Sequence, residues 1–117
     1  MASLENFIPQ LKRTLELFTE GTATAASGAA TLNGNKGTVT SEALTTAAGS
    51  NYTLTLTNSK VKTTSNVLCT VDNGTNTTVG LAINRVTPAA GSVVILVRNT
   101  HASAALDGTI KVRFTIS

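Results

Sequence analysis

The chain has 117 residues, of which 41% are hydrophobic and only 13% charged, so it has room for one domain with a modest core and a largely neutral polar surface. Its net charge of +3 is scattered over Lys12, Arg13, Lys36, Lys60, Lys62, Arg85, Arg98, Lys111 and Arg113. With no basic stripe, no tryptophan and only Phe7, Phe18, Tyr52 and Phe114 as aromatics, this pattern excludes a nucleic-acid-binding surface.

Residues 1–20 carry the one helical pattern. Ser3 can cap, and Leu4, Ile8, Leu11, Leu15 and Phe18 follow at spacings of four and three with Phe7 beside them, giving one apolar stripe. Pro9 confines the secure helix to about residues 10–19, and Gly21 supplies a stop. The stripe has a seven-residue repeat, so self-pairing and docking on another protein surface are both open to it. Residues 21–37 are small, polar and glycine-containing, and read as a flexible arm or linker.

Residues 38–117 form the β domain. The sequence holds 22 threonines, a residue suited to half-exposed pleated strands. A short strand is expected over residues 38–40. Residues 52–57 alternate, with Tyr52, Leu54 and Leu56 on one face and threonines on the other. The run Val67–Val71 ends at Asp72-Asn73-Gly74, which reads as a hairpin turn. Residues 78–86 form the next strand, broken by Pro88 and Gly91. Residues 93–97 are apolar throughout, as for a strand covered on both faces by two layers or a neighbouring subunit. The last strand, 109–116, turns Ile110, Val112, Phe114 and Ile116 one way and Lys111, Arg113 and Thr115 the other. Five or six strands without intervening helices predict a mainly β fold: an antiparallel β-sandwich or jelly-roll-like barrel.

Residues able to carry chemistry are sparse. His101 is the one histidine, with Ser103 and Asp107 close in sequence, and a backbone-bonded loop histidine is the expectation. Glu42, Asp72 and Asp107 are the carboxylates outside the helical segment, and their spacing proposes no acid pair. Cys69, the one cysteine, lies in an apolar alternation and reads as a small buried hydrophobe. No thiolate cluster, phosphate loop or metal-ligand spacing is present, so no cofactor, metal or enzymatic activity is expected. The Asn-X-Thr triplets at Asn51, Asn73 and Asn76 read as turn and strand-edge chemistry. No apolar run approaches the roughly 20 residues of a membrane span, and the first residues lack the basic-then-apolar pattern of a secretory signal; a soluble cytosolic product is expected until assembly.

The β region draws much of its apolar content from alanine and valine, which bury little surface each, so further burial is expected from other chains. The phrases TVTSEALTTAAG (38–49), YTLTLTN (52–58), PAAGSVVI (88–95) and LDGTIKVRF (106–114) resemble small β-rich virion proteins of tailed bacteriophages. The resemblance implies a capsid decoration or cement protein on the virion surface. Such a protein would be a homo-oligomer, with a trimer favoured, bound at junctions of the major capsid protein. Leu4, Phe7, Ile8, Leu11, Leu15 and Phe18 are then the expected oligomer or capsid interface. A tail-appendage or fibre module that binds a host receptor or glycan is the alternative.

Overall fold

The structure is a computed structural model and describes residues 20–117; the expected N-terminal helix, with Leu4, Phe7, Ile8, Leu11, Leu15 and Phe18, lies outside the described residues. Among the described residues the regular structure is eight strands: β1 (Gly21–Thr24), β2 (Ala29–Thr31), β3 (Lys36–Thr40), β4 (Asn51–Thr57), β5 (Val67–Asn73), β6 (Leu81–Ala89), β7 (Ser92–Asn99) and β8 (Ile110–Ile116). They form two four-stranded sheets, one ordered β1-β3-β8-β5 and the other β2-β4-β7-β6.

From β1 to β6 the chain changes sheet at every connection, and only β6 and β7 form a hairpin within one sheet, turning at Ala90-Gly91. This alternation corrects the expectation of a purely antiparallel sandwich. β1 pairs parallel with β3 and β2 parallel with β4, while the remaining pairs are antiparallel. Parallel neighbours ordinarily need a helical crossover. Here the crossover from β1 to β3 is β2, a strand of the opposite sheet, so the mixed pairing needs no helix.

The two sheets share one core. β8 is central in the first sheet and alternates completely: Ile110, Val112, Phe114 and Ile116 are buried, and Lys111, Arg113 and Thr115 are exposed. Facing them, β4 contributes Tyr52, Leu54 and Leu56, and β7 contributes Val93, Ile95 and Val97. A fully buried side chain of this kind contributes about 1.5–3 kcal/mol. Val94 and Leu96, on the other side of β7, are half-buried, so the all-apolar run is enclosed on one face and flanked by neighbouring strands on the other.

Residues 21–37 are not a linker. They hold β1, β2 and the start of β3, and β1 and β2 are edge strands. Small side chains are required there, because Leu32 lies over the cross-strand partners Gly21 and Gly37. A Cβ at Gly37 would stand 2.7 Å from Leu32 Cδ2 and 3.1 Å from both the Gly21 carbonyl oxygen and Phe114 Cε1. Gly21 therefore stands at the start of β1.

Two further expectations change. β5 continues through Asp72 and Asn73, and the chain then passes to the other sheet, so Asp72-Asn73-Gly74 is no hairpin turn; the Gly74 N–H donates to the Thr109 carbonyl 2.9 Å away. The following strand begins at Leu81 instead of Thr78 and runs through Pro88. Proline is tolerated there because β6 is an edge strand, where a missing N–H breaks no ladder bond.

Candidate functional site

One polar cluster lies beside the turn between β1 and β2. Ser27 and Gly28 both have positive φ, 49° and 76°, and a Cβ at Gly28 would come within 2.6 Å of the Thr53 carbonyl oxygen. Only glycine fits that close approach. The turn exposes the Gly28 N–H to Glu42 Oε2 at 2.6 Å, while the Tyr52 hydroxyl donates to Glu42 Oε1 at 2.6 Å. Burial pushes the Glu42 carboxyl up, but hydrogen bonds from the Tyr52 hydroxyl, its own N–H and the Gly28 N–H outweigh this and hold it below the ordinary range. Burial first, and then the carboxylate as acceptor and neighbouring charge, raise the Tyr52 phenol far above its usual value. An open groove of about 390 Å³ passes this cluster, lined also by Leu44, Thr45, Thr46 and Thr53. Both carboxylate oxygens are engaged, so Glu42 acts here as a fastener between the turn and β4.

Three asparagines perform the same task elsewhere. Asn99 is fully buried; its amide donates to the carbonyls of Thr46 (3.1 Å) and Ala104 (2.9 Å), and its Oδ1 accepts from the His101 N–H (3.0 Å). Asn58, also fully buried, donates to the Gly34 carbonyl and accepts from the N–H groups of Gly34 and Lys60. Asn76 donates to Asn73 Oδ1 and the Thr78 carbonyl and accepts from the N–H groups of Asp107 and Thr78. No buried side-chain polar atom among the described residues lacks a partner. A fully satisfied amide fixes a loop geometry, since each broken bond strands a desolvated group.

His101, Ser103 and Asp107 do not assemble into a nucleophilic constellation. The Nδ1 of His101 accepts the N–H groups of Ser103 (3.0 Å) and Ala104 (2.9 Å), which puts a neutral ring's proton on Nε2. The imidazole thus holds its own loop, as the sequence led us to expect. Asp107 is occupied by Thr77, whose N–H and hydroxyl both donate to its carboxylate; these bonds lower its pKa. Asp72 pairs with Arg113 on the outer face of the first sheet. Glu42, Asp72 and Asp107 therefore each serve a separate partner. Among the described residues, no group of three or more histidines, cysteines and carboxylates is placed to hold a metal ion. Cys69 points toward the core from β5, and burial pushes its thiol up to about 11.

The outer face of the first sheet is a lattice of threonine and cationic residues. Strand register aligns Thr22, Thr38, Arg113 and Thr70 in one row and Thr24, Thr40, Lys111 and Asp72 in the next. Leu68 of β5 adds an apolar point to this face at 65% exposure, and Val79, just before β6, is 68% exposed. Neither residue stood out in the sequence, where Leu68 is embedded in an apolar run. The signal was its parity: it is out of step with Val67, Cys69 and Val71, which turn toward the core. The expected interface residues Leu4, Phe7, Ile8, Leu11, Leu15 and Phe18 lie outside the described residues.

No protein-family model matches the chain, and neither the curated proteins nor the solved structures searched contain a match to it.

Proposed function

We propose that this chain is a structural module of a virus particle: a capsid decoration protein that associates with further copies of itself and seats on junctions of the major capsid protein. The observation that carries the reading is how the polar residues are used. Glu42, Asn58, Asn76, Asn99 and His101 each secure a loop, while the outer face of the first sheet presents rows of threonines interspersed with Lys36, Lys111, Arg113 and Asp72. Secured loops and a broad threonine-rich polar face suit a protein whose work is to be held between larger ones. The phage-like phrases in residues 38–114 support the same role.

The test is reconstitution. Purified full-length protein is added to capsids that lack it, and bound protein is separated by sedimentation. Saturable binding at a fixed ratio to capsid subunits, with a raised capsid disruption temperature, is expected; no binding at any concentration refutes the reading.

The groove beside Glu42 favours a second role, a tail-appendage module for a receptor or glycan, since Thr45, Thr46 and Thr53 line it with hydroxyl groups. The Tyr52 ring is buried and offers no stacking face, which weighs against a sugar. A glycan array separates the two roles, because a decoration protein gives no concentration-dependent signal there.

A further inference from the structure

The four edge strands are not equally protected. β1 and β2 have four and three residues, and β6 carries Pro88, Arg85 and an irregularity between Ile83 and Arg85. Short length, proline, bulges and inserted charge are the usual means of keeping an edge from pairing with another chain. β5 is seven residues long, has no proline, lysine or arginine, and pairs with β8 in unbroken register.

The hydrogen-bond alternation shows which groups β5 leaves open. Asn66 and Ser117 exchange both N–H to carbonyl bonds, and the Gly74 N–H donates to the Thr109 carbonyl. In an antiparallel ladder bonded pairs alternate, so Leu68, Thr70 and Asp72 direct their backbone groups to β8. Val67, Cys69 and Val71 therefore turn theirs out of the sheet, and among the described residues those groups have no backbone or side-chain partner. The result is a template of alternating donors and acceptors along the half-buried edge of β5.

We propose that β5 is a homotypic interface: β5 of a second copy pairs with it antiparallel about a two-fold axis at Thr70, joining two four-stranded sheets into one of eight. This rests on the reading of the chain as an assembly module and identifies the surface it uses. The edge is complementary to itself. Centring the axis on Thr70 sets Val67 opposite Asn73 and Cys69 opposite Val71 of the other copy, so the outward donors and acceptors meet in bonded pairs along the whole strand. Charge permits this register as well. Asp72, the only charge on β5, lies opposite Leu68 of the second copy, and the two Asp72 residues are four positions apart, about 13 Å along the strand. The unit so built is a pair, not the trimer implied by the resemblance.

Sedimentation of the full chain at micromolar concentration tests this together with substitutions at Thr70, an exposed residue in a non-bonded cross-copy pair with itself. The wild type is expected to sediment as a dimer. Thr70→Lys places like charges in direct opposition beside both copies of Arg113, and is expected to give a monomer that still unfolds cooperatively, at a somewhat lower temperature. Opposed Cα atoms in such a pair are about 4.5 Å apart, within disulfide range. The Cys69→Ala/Thr70→Cys variant should then cross-link under mild oxidation, whereas Cys69→Ala/Thr115→Cys, on the same face but one strand inward, should not. A monomeric or trimeric wild type, a dimer that survives Thr70→Lys, or equal cross-linking at position 115 overturns the proposal. Capsid binding distinguishes its failure from that of the broader reading: a monomer that binds capsids removes only the β5 interface, and a β5 dimer that ignores capsids removes only the capsid role.

Discussion

Replacing Asn99 by alanine is the sharpest test of the idea that buried amides hold the loops. The side chain is fully buried at the end of β7 and ties two stretches of chain together: Thr46 before β4, and the loop to β8 at His101 and Ala104. Alanine removes two donors and one acceptor. The Thr46 carbonyl keeps the Leu106 N–H at 2.9 Å, so the Ala104 carbonyl and the His101 N–H are the groups left without partners. A buried polar group deprived of its bond costs about 1–3 kcal/mol. Partial access of water to the loop puts the sum toward the lower part of the additive range, at about 2–4 kcal/mol. Since a domain of this size has about 5–15 kcal/mol in total, Asn99→Ala should remove a large share of the stability. Its melting temperature should fall by about 10 °C or more. Asn99→Asp should be worse above the carboxylate range, because it directs a charge at the carbonyls of Thr46 and Ala104. Urea unfolding followed by circular dichroism gives the difference directly. A loss below about 1 kcal/mol for Asn99→Ala would mean that the loops hold one another without the amide, and would refute the reasoning.

Glu42 gives a pH prediction. Its carboxyl has an ordinary value of 4.5 and a lower one in the folded chain, so its contribution is complete above about pH 4.5 and declines as pH falls through the folded value. Glu42→Gln should flatten that part of the acid-unfolding curve, measured as urea midpoint against pH. Gly37→Ala forces Leu32 and the Gly21 backbone apart, and should cost about 1–3 kcal/mol by thermal unfolding. The Cys69 thiol, pushed from 9.0 to about 11 by burial, has about a hundredfold less thiolate near neutral pH; alkylation by iodoacetamide should be slower by at least that factor in the native protein than in urea.

The strands with strong contrast between faces were legible in the sequence. β4 and β8 alternate large apolar residues with threonine or cations, and each lies within a residue or two of its expected place. β1 and β2 were hidden because their inward positions, Gly21, Ala23 and Ala30, are small and differ little in hydropathy from the threonines between them. Leu32 occupies the space that larger side chains at Gly21 and Gly37 would need. The turn residues at Asp72-Asn73-Gly74 misled for a related reason: they allow the chain to leave the sheet, but do not decide whether it returns in the same sheet or the opposite one. The asparagine fasteners carried a readable signal. Asn58 shares the parity of Tyr52, Leu54 and Leu56, and Asn99 that of Val93, Ile95 and Val97, so both fall on inward rows where an amide must find partners.

The choice of amides over ion pairs in these positions has a consequence for how stability responds to salt. Asn58, Asn76 and Asn99 bind through neutral groups, so their bonds keep their strength at any ionic strength. The one ion pair among the described residues, Arg113 with Asp72, joins side chains that are 46% and 55% exposed. Such a pair contributes about 0–1 kcal/mol and is screened by salt. Sodium chloride raised from low to molar concentration should therefore leave the urea midpoint almost unchanged, and Asp72→Asn should behave like the wild type at both extremes. A steep fall in stability with salt would show that charged contacts, and not the buried amides, carry the loops. A module whose buried fasteners are mostly neutral amides can pass between a salt-poor and a salt-rich medium with little loosening, which fits the proposed place on the outside of a particle.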